Sequence, residues 1–345
     1  MHSIIDKVYV INLQDRPDRW QKINKNFSNT SLELTRWEAV NGKELSEDKI
    51  ERIATPTCQK ICSPAMIGCW MSHFSIWNNI VKNEEDNVLI LEDDAYPVDG
   101  FDQKLKAYWS EIPKDWDVVY LGCSGSCDKS KFFNYILYFI SGKKNKLVYK
   151  NKKLQKHVIR PSFPLAAHAY MISLKGARKM INNPVFERVF YHIDFVMSKY
   201  VYIDDNFKVY AIKPYLIYQW LDSNYSNMQY NVHPLIDKFG SKYQFSENHT
   251  IDSLLSVQVL YIRKIDVTVT LFMIIIFLMS LLVGLVNSRS IIQAYLIIVI
   301  AIYLFEVLWK MNLDFKTTKG LFMELLLVVF GIFLGKNIYC LFFKE

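Results

Sequence analysis

The chain has 345 residues, 51% of them hydrophobic, and a formal net charge of +7. That length could hold two domains, but about 260 residues in a single α/β domain leave only a hydrophobic tail. The positive charge is moderate and spread along the chain, and no recognised DNA- or RNA-binding module accompanies it, so nucleic acid is not an expected partner.

The first apolar run, VYVINL (8–13), reads as a strand, and QDRPDRW (14–20) as the turn into a helix. Asn12, Arg16 and Arg19 then project where a first βα loop meets a nucleotide, and the planar arginine fork suits a diphosphate. The plainer alternative is a surface turn with a local Asp–Arg pair. A Gly-x-Gly-x-x-Gly or Walker loop is missing, which argues against a dinucleotide enzyme or a P-loop NTPase. Asn41-Gly42 in WEAVNG (37–42) is a good turn.

The six cysteines include two C-x-x-x-C pairs, Cys58/Cys62 and Cys123/Cys127, with Cys69 and Cys340 apart. That spacing is loose for zinc ribbons, so free thiols in a reducing compartment are expected. In SPAMIGCWMSHFSIWNNIVK (63–82), Ser63 is a candidate N-cap with Pro64 at N1, and Trp70, Phe74, Trp77 and Val81 recur at helical spacing. His73 lies one turn from Cys69 and Trp77 and is read either as a buried packing partner or as a wall of an active site.

The most informative stretch is VLILEDDAYP (88–97). A buried apolar strand stopped by Pro97 would pin Glu92, Asp93 and Asp94 at its C-terminal edge, where open α/β sheets hold ligands. Like charges so close repel unless a cation sits among them, and hard oxygen donors suit Mg²⁺ or Mn²⁺ with phosphate completing the shell. A metal-bound nucleotide diphosphate follows as the first hypothesis. The basic run at 143–157 lacks apolar periodicity and reads as a loop, solvated or in contact with anionic headgroups or an acidic acceptor.

Three apolar segments close the chain, at 267–286, 291–309 and 321–343, and are read as three membrane spans. Arg263 and Lys264 before the first, with Lys310, Lys316 and Lys319 between the second and third, outweigh Arg289, Lys336 and Lys344. That bias places the large N-terminal domain on the cytosolic side, and the N-terminus has no long apolar signal region.

G-C-W-M-S-H-F-S-I-W (68–77) followed by L-I-L-E-D-D (89–94) resembles the paired signature of glycosyltransferase family 25, which includes procollagen and bacterial lipooligosaccharide galactosyltransferases. VYVINLQDRPDRW (8–20), WEAVNG (37–42), WDVVYLG (116–122), AYMISLKGARKM (169–180) and HIDFV (192–196) fall in the same order. The resemblance implies a GT-A-like, Rossmann-related nucleotide-sugar-binding fold over 1–235; the hydrophobic tail lies outside it, and the remainder is read as a linker at 236–265 and a membrane region at 266–345. The resemblance also implies inverting transfer of galactose or glucose from a UDP-sugar to a hydroxyl of a glycan or hydroxylated protein side chain, with Mn²⁺ or Mg²⁺. Carried onto this sequence, Asp93 and Asp94 hold the metal and Asp194 is the general base. Asn12, Arg16, Arg19, Ser72, His73 and Glu92 line the donor site.

Asp194 sits among Tyr191, Ile193, Phe195 and Val196, a setting that would desolvate its carboxylate and raise its pKa, whereas the plainer role is that of a helix N-terminal acid. Asp204 and Asp205 are its substitutes. Two further readings stay open: a polyprenyl-phosphate sugar transferase, since that layout also joins a GT-A domain to membrane helices, and an inactive carbohydrate-binding membrane protein. A cytosolic domain departs from the lumenal procollagen enzymes and fits a source among large DNA viruses or bacterial inner membranes by analogy.

Overall fold

Lys7–Asn12 (β1) is the strand around which the N-terminal unit is wound, and five of its six residues are buried. The computed structural model describes residues 4–125, 127, 146–147, 157–220, 255–262, 267–309 and 315–343, and these fall into two units, at 4–220 and 255–343. From β1 the chain enters a helix at Pro17–Phe27 (α1), then a strand at Leu34–Glu38 (β2). Short helices at Glu47–Ile53 (α2) and Pro56–Ile61 (α3) precede the long helix Pro64–Asn83 (α4), whose N-cap is Ser63 and whose first residue is Pro64, as read from the sequence.

Val88–Glu92 (β3), Ala95–Pro97 (β4), Phe101–Trp109 (α5) and Val118–Gly125 (β5) follow. After Lys146–Leu147 (β6) and Val158–Arg160 (β7) come Pro164–Ile172 (β8) and Leu174–Ile181 (α6). Ile193–Ile203 (α7), Val209–Ile212 (β9) and Ile217–Gln219 (β10) complete the unit. Of the basic run at 143–157, only β6 and His157 belong to the described residues.

Eight strands form one sheet in the order β2-β1-β3-β8-β5-β9-β7-β6. The β1–β2, β1–β3 and β5–β9 pairs are parallel, whereas β8 runs antiparallel to both β3 and β5. The C-terminal edges of β1, β3 and β5 and the N-terminal end of β8 therefore meet on one side. Helices cover both faces, and the pleat assigns side chains to them. Leu89 and Leu91 pack with Ile23 and Phe27 of α1 and Leu105 of α5. Val88, Ile90 and Glu92 point the opposite way, toward α4.

One expectation changes here. The acidic strand ends at Glu92 rather than being stopped by Pro97, which instead closes β4, a short strand paired antiparallel with β10. Pro97 is tolerated because this two-stranded ribbon stands apart from the main sheet and each of its strands is an edge.

At the opposite edge of β5, fully buried Asp117 accepts from Lys179 Nζ at 2.6 Å and from the Lys208 backbone N–H at 2.7 Å, with Lys175 Nζ at 3.2 Å. Asp117→Ala leaves the Lys208 N–H without its acceptor and removes the ion-pair partner of Lys179, which keeps the Asn206 carbonyl. It is expected to cost about 1–3 kcal/mol in urea unfolding, the range for a buried donor left unsatisfied, since Lys175 and Lys179 both reach solvent.

The cysteine expectation is also corrected. Cys58–Cys62 and Cys123–Cys127 are disulfides, with Cα separations of 4.8 and 6.0 Å, while Cys69 and Cys340 are free. A four-residue spacing closes such a bridge wherever one turn of chain brings the two Cα atoms within reach, as α3 does for the first pair.

In the C-terminal unit, Val267–Thr270 (β12) pairs antiparallel with Gln258–Ile262 (β11), so the first apolar segment does not begin as helix. The alternating β-branched V-T-V-T favours a strand, and Thr270 then caps Leu271–Val286 (α8). At 16 residues α8 spans about 24 Å, short of a bilayer core. Arg289–Trp309 (α9) and Phe315–Phe342 (α10) follow. Among the described residues one helix, Leu321–Phe342, is long and apolar enough to cross a membrane, and 271–286 and 289–304 are shorter apolar helices. Gly284 of α8 lies against the Ile332 backbone of α10, and Gly335 of α10 against the Leu281 carbonyl, so the two backbones approach closely. Buried Glu324 accepts from Tyr303 at 2.6 Å, tying α10 to α9.

Candidate functional site

Alternation in β3 splits the three consecutive carboxylates between two helices. Glu92 faces α4: His73 Nε2 lies 3.3 Å from its Oε1, and the Cys69 thiol points at the same oxygen at 3.9 Å. Asp93 faces α1 and receives Arg19 on Oδ1 at 2.8 Å and Asn12 Nδ2 on Oδ2 at 2.7 Å. The expected cluster of three mutually repelling acids is thus already partly neutralised by protein groups.

Asp94 lies in the turn between β3 and β4. Its Oδ2 accepts from Gln219 Nε2 at 3.1 Å, and its carbonyl accepts from Trp220 N at 2.8 Å. Oδ1 is buried with no hydrogen-bond partner. Burial, then the charges of Glu92 and Asp93, raises the Asp94 pKa to about 8. Asp93 is raised too, by burial working against Arg19 and Asn12. Glu92 behaves oppositely: burial pulls it up, but the His73 hydrogen bond and the electrostatic pull of His73, His168 and Arg19 prevail and hold it below the ordinary carboxylate value.

Asn12 is almost fully buried at the end of β1 and acts as a hub. Its amide donates to Asp93 and to the Arg16 carbonyl, and its Oδ1 accepts from Arg36 Nε at 2.8 Å. Arg36 also donates to the Leu13 carbonyl at 3.0 Å, so it ties β2 to the first βα turn. Arg16 pairs with Asp18 at 2.8 Å, the local pair named above as the plainer reading, and is close enough to Asp93 to be influenced by its charge. The N-terminus of α1 has Pro17 in its first turn and no capping side chain at Arg16, and the Asp18 carboxylate accepts from the Asp18 and Arg19 backbone N–H groups.

Asp194 enters from α7. Its Oδ2 accepts from Ala166 N at 3.1 Å and its Oδ1 from Phe195 N at 2.7 Å, which fixes the carboxylate between α7 and β8. Ala166 takes φ +67°, the left-handed region that a side chain rarely occupies, while presenting that N–H. Burial, followed by the charges of Glu92, Asp194 and Asp94, raises the Cys69 thiol well above its usual value. Tyr120 is raised by burial and then by Asp194. The charges of Glu92, Asp194 and Asp94 thus all act on Cys69, and that of Asp194 acts on Tyr120.

The other sequence candidates fall differently. Ser72 is fully buried, donates to the Gly68 carbonyl at 2.7 Å and accepts from Val40 N at 2.9 Å, so it fastens α4 to the 37–42 segment. Asp204 caps the far end of α7, about 15 Å of helix from Asp194, and Asp205 is exposed beside Arg160. Neither can stand in for Asp194. Gln219, Arg36, Tyr170 and His168 were not marked in the sequence. Gln219 and Asp94 are 125 residues apart and meet only through the β4–β10 pairing.

A family model described as Glycosyltransferase family 25 (LPS biosynthesis protein) matches residues 5–197. A Glycosyltransferase 25 family member of Aedes aegypti is 26% identical over 199 residues, 54% of this chain and 29% of that protein. Procollagen galactosyltransferase 2 of Mus musculus is 24% identical over 237 residues, covering 62% of this chain and 35% of that one. The Procollagen lysyl hydroxylase and glycosyltransferase of Acanthamoeba polyphaga mimivirus is 27% identical over 210 residues, 56% of this chain and 21% of that protein. This chain therefore spans about a third or less of the length of these relatives.

Proposed function

The chain belongs to glycosyltransferase family 25, and from that premise we propose that it transfers a hexose, galactose or glucose, from a UDP-sugar to a hydroxyl of a glycan or glycoprotein with inversion at the anomeric carbon. The observation that carries this reading is the buried, unpartnered Oδ1 of Asp94 at the sheet edge, beside an arginine-bearing first βα turn. The mixed sheet flanked by helices is compatible with a Rossmann-like glycosyltransferase fold of GT-A type.

The donor set fits a hard divalent ion at Asp94. Its free oxygen and raised pKa are what a carboxylate lacking its cation would show, whereas Asp93 already spends both oxygens on Asn12 and Arg19. Bound there, Mn²⁺ or Mg²⁺ would neutralise charge on the departing diphosphate. Asp93 holds Arg19 at the turn, and the guanidinium groups of Arg16 and Arg19 offer donors to that diphosphate. Glu92, kept ionised, faces the sugar side. Asp194, fixed by two backbone N–H groups, retains lone pairs with which to take the acceptor hydroxyl proton.

UDP release from UDP-galactose and UDP-glucose, with Mn²⁺ and with EDTA, tests the reading. Turnover of one donor that EDTA abolishes is expected; tight UDP-sugar binding without turnover on any acceptor would make the domain a binding module, and transfer to polyprenyl phosphate would replace the acceptor class.

We further propose that the C-terminal unit tethers the enzyme to a membrane. Its outward side chains, among them Leu282, Ile297, Val329 and Phe333, are exposed and apolar. The orientation argument does not depend on three spans: with Leu321–Phe342 alone crossing, Lys310, Lys316 and Lys319 still precede the span against Lys344 after it. All four lysines lie outside the residues whose side chains are described. The charge bias supports a cytosolic catalytic unit, whereas the two disulfides favour an oxidising compartment. Glycan mapping separates the two. The sequons at Asn26 and Asn29 are on described residues, and those at Asn224 and Asn248 are not. Expression in eukaryotic cells should leave all four unmodified, and an N-glycan on any of them would reverse the orientation.

A further inference from the structure

His73 is fully buried on α4, and its hydrogen bonds form a line whose direction can be worked out. The Trp77 indole donates to the Tyr170 hydroxyl oxygen at 2.9 Å, Tyr170 OH lies 3.0 Å from His73 Nδ1, and His73 Nε2 lies 3.3 Å from Glu92 Oε1. An indole N–H can only donate, and a tyrosine hydroxyl has one proton to give. If Nδ1 carried the imidazole proton, the Tyr170 oxygen would receive two donors and its own proton would have no acceptor among the described residues. The Nε2 lone pair would also face a carboxylate oxygen. In the reverse arrangement every group is satisfied once: Trp77 to Tyr170, Tyr170 to Nδ1, and Nε2–H to Glu92.

We infer that Tyr170, held by Trp77, fixes His73 as the Nε2–H tautomer, and that His73 in turn orients Glu92 at the C-terminal edge of β3, making His73 and Tyr170 positioning residues for the transfer. The inference rests on the proposed reading of the site. It also decides a competing use of the same atoms. Cys69, His73 and Glu92 bring potential ligand atoms within 4.8 Å of one another, but a proton on Nε2 leaves that nitrogen no lone pair for a metal. Pleating supports the arrangement, because Tyr170 is the β8 partner of Ile90, two residues before Glu92 on the same face.

A carboxamide can reproduce the line without titrating: in His73→Gln the oxygen can accept from Tyr170 and the N–H₂ can donate to Glu92, whereas His73→Leu can do neither. His73→Gln should keep kcat within about 3-fold of the parent, Tyr170→Phe should lower it about 10-fold, and His73→Leu about 10–100-fold, with KM for the UDP-sugar nearly unchanged in each. Equal kcat for the Gln and Leu variants, with only the melting temperature reduced, would reduce the line to packing and overturn the inference. Equal loss in both would make His73 a proton carrier or ligand, and overturn it too. Where His73→Leu fails to fold, Tyr170→Phe carries the comparison, and unchanged kcat there counts against the inference.

The tautomer is read separately by ¹⁵N-correlated NMR of His73 in the metal-free protein. A proton on Nε2, with Nδ1 as the acceptor from Tyr170, is expected. Protonation on Nδ1 overturns the inference whatever the activity. Absence of transfer in the parent enzyme, with the Nε2–H tautomer present, instead removes the proposed reaction and with it the positioning role.

Discussion

Asp94→Asn is expected to lower metal-dependent turnover by at least ~10²-fold while leaving the fold intact, a loss of the size seen when one group that stabilises charge in a transition state is removed. The variant keeps the size and one acceptor oxygen of the carboxylate but loses the charge that only a cation compensates. Stability should move the other way. With the folded-state pKa at about 8 and the ordinary value at 3.8, the folded apo protein holds a proton that the unfolded chain has released between those limits. Asp94 therefore makes apo stability fall as pH rises from about 4 to about 8, after which its cost is complete. Asparagine carries no such dependence, so metal-free Asp94→Asn should melt higher than the parent, most clearly at pH 8 and above. Near-parental turnover in Mn²⁺, or an unchanged melting profile against pH, would remove Asp94 from the metal site.

Asp194→Asn should reduce the acceptor-dependent rate by about 10²-fold or more with little change in UDP-sugar affinity, the pattern for a lost general base. The amide can still accept the Ala166 and Phe195 N–H groups only through its one oxygen, so some loosening of α7 against β8 is expected, and donor affinity measured on the same sample controls for it. Collapse of donor binding would move Asp194 into the nucleotide site. Asp204 and Asp205 offer no rescue, since they sit at the other end of α7.

Local order was the legible part of this chain. Ser63-Pro64 marks the start of α4 because capping and the proline ring act within one turn, and VYVIN reads as β1 because its apolar run is buried in the sheet. The same period-two rule that identified VLILE also separates Glu92 from Asp93, which a reading of the three acids as one cluster overlooked. What remained illegible was nonlocal. Gln219 reaches Asp94, and Tyr170 reaches His73, only after strands far apart in sequence have paired. Val267–Thr270 was merged into an apolar helix because hydropathy ignores β-branching and the pairing with Gln258–Ile262. The disulfides escaped because spacing alone does not give the Cα separation that permits a bond.

The central claim, that the β1–β3 edge is a metal-dependent nucleotide site, is tested most directly by calorimetric titration of UDP into the purified full chain with Mn²⁺ and again with EDTA. The account predicts saturable binding of one UDP that requires Mn²⁺ and is lost in Asp94→Asn. UDP binding of equal strength in EDTA, or binding in Mn²⁺ that survives Asp94→Asn undiminished, would contradict it.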